Sequence, residues 1–208
     1  MSVPVRLLRL LLTTRNSMRG HSVAQRLVRM PTTLRPEIAG DAHGAPGYNQ
    51  GETRNEAFHA DSSVIGGCGD AEFTIDSQRL VDSARQQQLI LLISETTLTE
   101  LEVAPVDVQN VLKELPLECL EMVALTAEVL ALRDAYLHAG VVGPRSVNDA
   151  THVACATVAR ADALVSWNFR YIVRLEKMKG YNQVNLINGY GILTIITPKE
   201  VRLHEPEE

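Results

Sequence analysis

From residue 56 onward the sequence alternates between short aliphatic runs and segments with helical spacing. Leu89–Ser94 and the stretch ALVSW at 163–167 are aliphatic runs of strand length. The segment 126–140 has the apolar spacing of an amphipathic helix, and Gly140 is a suitable residue to close it. Strands separated by helices of this length predict an α/β fold, with a mostly parallel central sheet between two helical layers in a three-layer α/β/α arrangement.

The remaining elements are predicted from the same two periodicities. Further strands are expected at 57–60, around 117–125 and at 192–197. Further helices are expected at 76–88, 97–104, 106–115, 148–160 and 169–180. We find no internal repeat, so the pattern favours one domain over residues 56–203, followed by an acidic tail at 204–208.

Composition narrows the class of protein. Hydrophobic residues make up 45% of the chain but aromatic residues only 4%, so the core must be aliphatic. No stretch approaches 18 consecutive apolar residues, which predicts no membrane-spanning helix and a cytoplasmic protein. The three cysteines, Cys68, Cys119 and Cys155, form no C-x-x-C pair. They are expected to be free thiols, buried in a reducing compartment, and not zinc ligands or disulfides.

The first 55 residues differ from the rest in charge and composition. Residues 1–60 contain eight Arg and four acidic residues, whereas the remainder contains 12 basic and 21 acidic residues. An Arg-rich start leads into a stretch rich in Pro, Gly and polar residues, which predicts a disordered segment. Three interpretations stay open: a start codon assigned too far upstream, an Arg-rich arm that touches nucleic acid, or a targeting segment.

Four polar side chains are placed to meet at one edge of the predicted sheet. Asp61 follows the first strand, Glu100 lies just after Leu89–Ser94, and Asn168 follows ALVSW. Asp149 opens the helix before ALVSW, with Asn148 as the expected N-cap. Parallel sheets bind ligands beyond the carboxyl ends of their strands. Three crowded carboxylates repel one another unless a cation joins them, and hard oxygen ligands favour Mg²⁺ or Mn²⁺.

Each of these acidic residues also has a purely structural explanation. Asp149 could complement a helix N-terminus, and Glu100 could form a capping box with Thr97. Asp61 could cap a turn into the segment SSVIGG. Asp162 precedes its strand, so we place it at the opposite end of the sheet and outside the site.

Three motifs resemble those of PIN-domain nucleases. HADSSVIGG resembles the family's first strand and loop, where an Asp precedes Ser or Thr, Ser and a Val-Ile pair, and SETTLTELEVAP resembles the segment that bears its Glu. The long stretch from NDATHVACATVAR through SWNF to ITPKEV is similar to the C-terminal half of VapC-like toxins. The resemblance spans roughly residues 57–201.

The resemblance implies a function and assigns roles to residues. Asp61, Glu100 and Asp149 match the family's first three acidic residues, which bind the metal, and Ser63 matches the hydroxyl that supports them. Asn168 stands where the family usually has a fourth acidic residue, and it completes the catalytic set. An amide adds no negative charge, so metal affinity should be lower. The implied protein is a Mg²⁺- or Mn²⁺-dependent endoribonuclease that cleaves RNA, is inhibited by a cognate antitoxin and forms a homodimer.

Residues around this set carry further expectations. Arg170, Arg174 and Lys177 follow Asn168 closely and are expected to bind RNA, although a solvated helix face would explain them equally well. Trp167 could stack on a base, but core or rim packing is the more common role. His152, one turn after Asp149, is expected to pack or to form a hydrogen bond near the pocket.

Two other functions stay open at this stage. The missing fourth carboxylate fits a non-catalytic PIN-like module that binds RNA or a protein. A phosphatase of the haloacid-dehalogenase type also has an Asp after its first strand, but this chain has Ser63 where that class has a second Asp.

Overall fold

Five strands form one sheet in residues 55–202, the part of the chain that this computed structural model describes. The strands are β1 (Glu56–Ala60), β2 (Leu89–Ser94), β3 (Leu120–Val123), β4 (Ala163–Val165) and β5 (Ile195–Ile196). Their order across the sheet is β3-β2-β1-β4-β5, and every neighbouring pair is parallel. The chain moves outward from β1 in one direction through β2 and β3, and in the other through β4 and β5. The direction of winding therefore reverses between β1 and β4.

Seven α-helices within the described range cover both faces of this sheet. They are α1 (Ser62–Gly67), α2 (Thr74–Arg85), α3 (Glu95–Leu101), α4 (Val106–Lys113), α5 (Ala127–His138), α6 (Val147–Val158) and α7 (Leu175–Ile187). Short 3-10 turns occur at Leu117–Cys119, Pro144–Ser146 and Pro198–Glu200. The predicted three-layer α/β/α arrangement is confirmed. None of the helices in 55–202 has the length and apolar character needed to cross a membrane.

The sheet separates two hydrophobic cores, which explains the uninterrupted aliphatic runs. Phe58 and Ala60 of β1 face the core built with α1 to α4, whereas Ala57 faces the core built with α5 to α7. A strand buried on both faces has no solvent side, so most of its residues are apolar. The cysteines are free thiols, with Cys119 and Cys155 buried as expected and Cys68 half-buried.

The segment SSVIGG forms helix α1, where the sequence suggested only a turn. Its β-branched and glycine residues have weak helix propensity. The carboxylate of Asp61 accepts hydrogen bonds from the backbone amides of Ser63 and Val64 and caps the helix. Val64 and Ile65 are completely buried beneath it. The cap provided by Asp61 and the burial of Val64 and Ile65 therefore outweigh the weak helix propensity of this segment.

Two other helix starts differ from the prediction. The hydroxyl of Ser94 caps α3 by accepting a hydrogen bond from the amide of Thr97, so the capping box predicted for Thr97 and Glu100 is wrong. Helix α6 begins directly after the 3-10 turn Pro144–Ser146. Asn148 therefore lies inside the first turn and is not the N-cap.

The last helix begins later than its sequence pattern indicated. We predicted a helix at 169–180, but α7 begins at Leu175. The side-chain oxygen of Asn168 accepts a hydrogen bond from the amide of Tyr171, and its backbone carbonyl accepts one from Ile172. These bonds fold the residues after β4 into turns and bring the side chain of Asn168 back over the end of the sheet.

Candidate functional site

The candidate site lies at the carboxyl edge of the sheet, by which we mean the edge where β1 and β4 end. Asp61 follows β1 directly, and Ser166, Trp167 and Asn168 follow β4. This edge is next to the reversal of winding between β1 and β4, the usual place for a ligand in an open parallel sheet. Glu100 on α3 and Asp149 on α6 approach the same edge.

Asp61 connects the ends of the two central strands. Its side chain is buried, and one carboxylate oxygen accepts from the Ser63 hydroxyl at 2.6 Å. The other accepts from the Ser166 hydroxyl, also at 2.6 Å. The Ser63 hydroxyl in turn accepts from the backbone amide of Trp167 at 2.9 Å. Ser63 therefore bonds to Asp61 and also ties the segment after β4 to helix α1, while its role in a metal site stays a prediction.

Glu100 accepts hydrogen bonds from three different side chains. One carboxylate oxygen lies 2.5 Å from the Ser62 hydroxyl and 3.0 Å from Nε2 of His152. The other accepts from the side-chain amide of Asn148 at 2.8 Å. Burial alone would raise the pKa of Glu100, but these donors, His152 foremost, lower it to about 2. Glu100 is therefore fully ionised at neutral pH.

Asn168 faces Asp149 with its nitrogen. Its side-chain NH₂ group donates to Asp149 at 2.5 Å, while its oxygen accepts from the amide of Tyr171 at 3.0 Å. A backbone amide can only donate, so the Tyr171 contact fixes which end of the Asn168 side chain is oxygen. In this arrangement Asn168 acts as a hydrogen-bond donor to Asp149 and does not present an oxygen ligand beside it.

Asp149 experiences the charge of the other two carboxylates. Its pKa is raised above the usual value, first by burial and further by the negative charges of Glu100 and Asp61. A hydrogen bond from Ser146 and the charge of His152 offset only part of this effect. Like charges nearby disfavour the ionised form of a carboxyl group, so the negative charge of this edge is concentrated around Asp149.

His152 lies among the three acidic side chains. It is only 2% exposed, and burial alone would lower its pKa. The hydrogen bond to Glu100 and the charges of Asp61, Glu100 and Asp149 outweigh burial and raise the pKa. The expected hydrogen bond near the pocket is present. No pattern in the sequence indicates that all three carboxylates act on this ring.

A second buried histidine packs behind the first. The rings of His59 on β1 and His152 have centroids 5.8 Å apart. Within residues 55–202, neither nitrogen of His59 nor Nδ1 of His152 has a hydrogen-bond partner. Burial and the charge of His152 lower the pKa of His59, so its ring is neutral. Sequence inspection missed His59 because a lone His in a strand carries no signal of its own.

The carboxylates of Asp61, Glu100 and Asp149 are ligands of the type that divalent cations prefer, but they do not form a preformed metal-binding site. In the described part of the chain no group of three His, Cys, Asp or Glu side chains is arranged to hold a metal ion together. Mg²⁺ commonly keeps several waters and binds through one or two carboxylates plus substrate phosphates, so it does not require such a preformed site. Hard oxygen donors and mutual repulsion at Asp149 fit this kind of site.

The cations predicted to bind RNA differ in their surroundings. Arg170 is exposed, with its guanidinium carbon 5.0 Å from the centre of the Tyr171 ring. Arg174 is exposed and lies 3.5 Å from Glu176. Lys177 donates to the carbonyl of Val141 at 2.6 Å, which gives it a structural partner. RNA contact by the three stays a prediction, and Arg170 is the best placed because it is two residues from Asn168.

Several contacts at this edge escaped the sequence analysis. Ser62 and Asn148 both bind Glu100, and Ser166 binds Asp61. Ser166 could have been found, because it follows β4 just as Asp61 follows β1. Ser62 and Asn148 could not, because their contacts depend on how α3, α1 and α6 pack together.

Comparisons with known proteins add a similarity of fold. No protein-family model matches the sequence, and no curated protein matches it. The structure is similar to one chain in the crystal structure of VapBC2 from Rickettsia felis bound to a DNA fragment from their promoter. The identity is 14%, the match covers 68% of this chain and 98% of that chain, and the TM-score is 0.44. The function proposed below is therefore derived from the side chains at the carboxyl edge and from the sequence motifs.

Proposed function

We propose that this chain is a metal-dependent endoribonuclease of the PIN type, similar to VapC toxins, that hydrolyses phosphodiester bonds in RNA. One observation carries the proposal. Three carboxylates from three different elements approach the carboxyl edge beside the reversal of winding, and two of them raise the pKa of the third. The motif resemblance assigns the same three residues, Asp61, Glu100 and Asp149, to the metal.

Asp61, Glu100 and Asp149 would hold Mg²⁺ or Mn²⁺, with waters and substrate phosphate completing the coordination. When bound, such a cation supplies an activated water and offsets negative charge on the phosphate under attack. Mn²⁺ and Mg²⁺ fit equally well because both prefer carboxylate and water oxygens.

The chain's own residues organise this site. Ser63 and Ser166 fix the carboxylate of Asp61 by donating to its two oxygens. His152 and Ser62 orient Glu100 in the same way. Such partners of metal ligands typically change metal affinity or activity by about 10- to 100-fold when they are removed.

The test is cleavage of a labelled RNA in Mg²⁺ or Mn²⁺ by the intact chain and by Asp149→Asn. We expect cleavage to require the metal and to fall about 100-fold or more in the variant, because a ligand charge is lost. Asp134→Asn is the matched control, since Asp134 pairs with Arg133 on the surface of α5. Equal cleavage by all three proteins, or cleavage that persists in a chelator, would remove the proposal.

A non-catalytic RNA- or protein-binding module is the second candidate, and one contact favours it. The NH₂ group of Asn168 donates to Asp149 at the position where a fourth carboxylate would add negative charge. The site therefore carries less negative charge, and its attraction for a metal ion is weaker. RNA binding without cleavage at any metal concentration would establish this second function.

The partners follow from the same motif resemblance. We expect a cognate antitoxin protein and a homodimer of this chain, in the cytoplasm, with no membrane partner. Light scattering coupled to gel filtration of the full chain measures the dimer directly, and a monomeric mass would contradict it.

A further inference from the structure

Three of the chain's four Trp and Phe side chains lie together at the segment that follows β4. The chain has one Trp and three Phe residues. Trp167 and two of the Phe residues, Phe73 and Phe169, lie within contact of one another. The Phe73 and Trp167 rings stack with centroids 4.6 Å apart, and Phe169 lies 6.0 Å from Trp167 and 6.5 Å from Phe73. We call these three residues the aromatic patch.

Trp167 is fixed in place by its neighbours. Its indole nitrogen donates to the Ser77 hydroxyl at 2.8 Å, and its backbone amide donates to Ser63. Gly67 makes room for the ring, because a Cβ at that position would lie 3.0 Å from the indole nitrogen and 2.4 Å from the Ser77 oxygen. Trp167 is therefore held in place before any ligand arrives, which lowers the entropy cost of binding to its ring.

The patch is also open to solvent. Phe169 is 54% exposed, and Phe73 and Trp167 are half-buried. Single exposed apolar side chains are common, but three adjoining aromatic rings that stay accessible form a contiguous apolar surface, which is typical of a binding site. The chain carries Phe169 outward between Asn168, which bonds to Asp149, and the exposed cation of Arg170.

We propose that the aromatic patch is a stacking surface for an unpaired base of the nucleic acid strand whose phosphate lies at the acidic site. The inference rests on the proposed nuclease function and deepens it, since it names the surface that would bind a base of the substrate. A base presents a flat ring to stack on Phe169 and a phosphate on either side. Phe169 lies in the chain between Asn168, which bonds to Asp149, and the exposed cation of Arg170, so a ring-binding residue adjoins both the acidic site and a phosphate-binding side chain.

The surroundings favour a base over a protein side chain as the occupant. A purely apolar partner would leave Arg170 and the carboxylates of Asp149 and Glu100 unpaired, whereas a nucleotide brings both a ring for the patch and a phosphate for Arg170. A base inside a duplex cannot reach the patch because both of its faces are already stacked. The strand must therefore be single-stranded, or opened, at this position.

The experiment measures binding of a short unstructured RNA to the full chain by fluorescence anisotropy, with a chelator present so that nothing is cleaved. A second oligonucleotide has the same backbone with abasic positions, which keeps the phosphates and removes the rings. The proteins are the parent, Phe169→Ala, Phe169→Tyr and Ile187→Ala. Ile187, 84% exposed on α7, controls for loss of an exposed apolar side chain away from the patch.

We expect Phe169→Ala to weaken binding of the normal RNA about ten-fold, because stacking on one ring is lost. Phe169→Tyr and Ile187→Ala should bind as the parent does. The abasic strand should bind all four proteins equally and weakly. An unchanged melting temperature of Phe169→Ala will show that it is folded.

Equal affinity of the parent for normal and abasic RNA would overturn the inference, and so would a Phe169→Ala variant that binds like the parent. A patch that serves a protein partner would give this result. The same RNA, incubated with Mg²⁺ or Mn²⁺, keeps the two proposals separate. Cleavage without base-dependent binding removes only the stacking surface, whereas base-dependent binding without cleavage removes only the nuclease.

Discussion

The two ends of the β1–β4 pair use the same residue type in different ways. At the amino end, Asp162 accepts a hydrogen bond from the backbone amide of Ala57 at 2.7 Å, and its own amide donates to the carbonyl of Ala57. At the carboxyl end, Asp61 accepts from two serine hydroxyls and two backbone amides, and its charge acts on Asp149 and His152. The direction of the strands, more than the presence of an acidic residue, decides which end can become a site.

The largest expected effect compares these two acidic residues in stability. Asp61→Ala leaves Ser63, Val64 and Ser166 without their shared acceptor, and it removes the cap of α1. We expect a loss of about 3 kcal/mol in the free energy of unfolding. Asp162→Ala should cost less, about 1 kcal/mol, since Asp162 caps no helix and its carboxylate accepts from the backbone amide of Ala57. Urea denaturation of both variants measures the difference, and equal losses would contradict it.

A second comparison asks whether packing, as well as hydrogen bonding, orders the carboxyl edge. Gly67→Ala places a Cβ against Ser77 and Trp167 and should destabilise the fold by about 2 kcal/mol. Gly66→Ala meets no atom within 4 Å and should be neutral or stabilising by up to about 1 kcal/mol. Trp167 is the chain's only tryptophan, so its emission should shift in the Gly67 variant alone. Identical spectra and stabilities would show that the indole is not held there.

A smaller difference in the free energy of unfolding is expected between variants of Glu100 and Asp149, the two partly exposed acidic residues of the site. Glu100→Gln loses the ionic contact with His152 and should lower the free energy of unfolding by about 1–2 kcal/mol near pH 5.5. Asp149→Asn should cause no loss near pH 7, because an ionised Asp149 is disfavoured first by burial and then by the charges of Glu100 and Asp61. Urea denaturation of the two variants distinguishes them. If Asp149→Asn were the more destabilising, the proposed repulsion would be wrong.

The effect of Glu100→Gln should also depend on pH. The pKa of Glu100 is lowered to about 2, so its stabilising charge is complete above its ordinary pKa and is lost as the pH falls towards 2. The pKa of His152 is raised, so its contribution is complete below its ordinary pKa of 6.5 and is lost as the pH rises through the folded value. The difference from the parent should therefore be largest at about pH 5–6 and shrink at about pH 9. A difference that stays constant over this range would contradict the pairing.

The sequence predicted the architecture well because the relevant signals are local. The run Leu89–Ser94 is a strand with the same bounds as its aliphatic pattern, and Gly140 follows α5 with a positive φ of 68°, as a helix-closing glycine should. Asp61 and Asn168 were placed at the carboxyl edge because each directly follows a recognisable strand. Helix starts were less predictable, since the cap of α1 and the turns after Asn168 depend on side-chain bonds that no periodicity reveals.

The interior of the site could not be predicted for the same reason. Whether Asn168 turns its oxygen or its nitrogen towards Asp149 depends on the amide of Tyr171. The contact between Glu100 and His152 joins residues 52 positions apart on α3 and α6. Predictions for residues 1–54 and 203–208 lie outside the described residues, and the Arg-rich segment stays a prediction.

Calorimetric titration of the full chain with Mn²⁺ at neutral pH tests most directly whether Asp61, Glu100 and Asp149 bind one metal ion together. We expect saturable binding within the millimolar range by the parent, and affinity at least ten-fold weaker in Asp149→Asn, because a hard-oxygen site loses one of its charges. Asp134→Asn should bind as the parent does. No heat of binding up to millimolar Mn²⁺, or equal affinity in the parent and Asp149→Asn, would contradict the claim that these carboxylates hold a metal together.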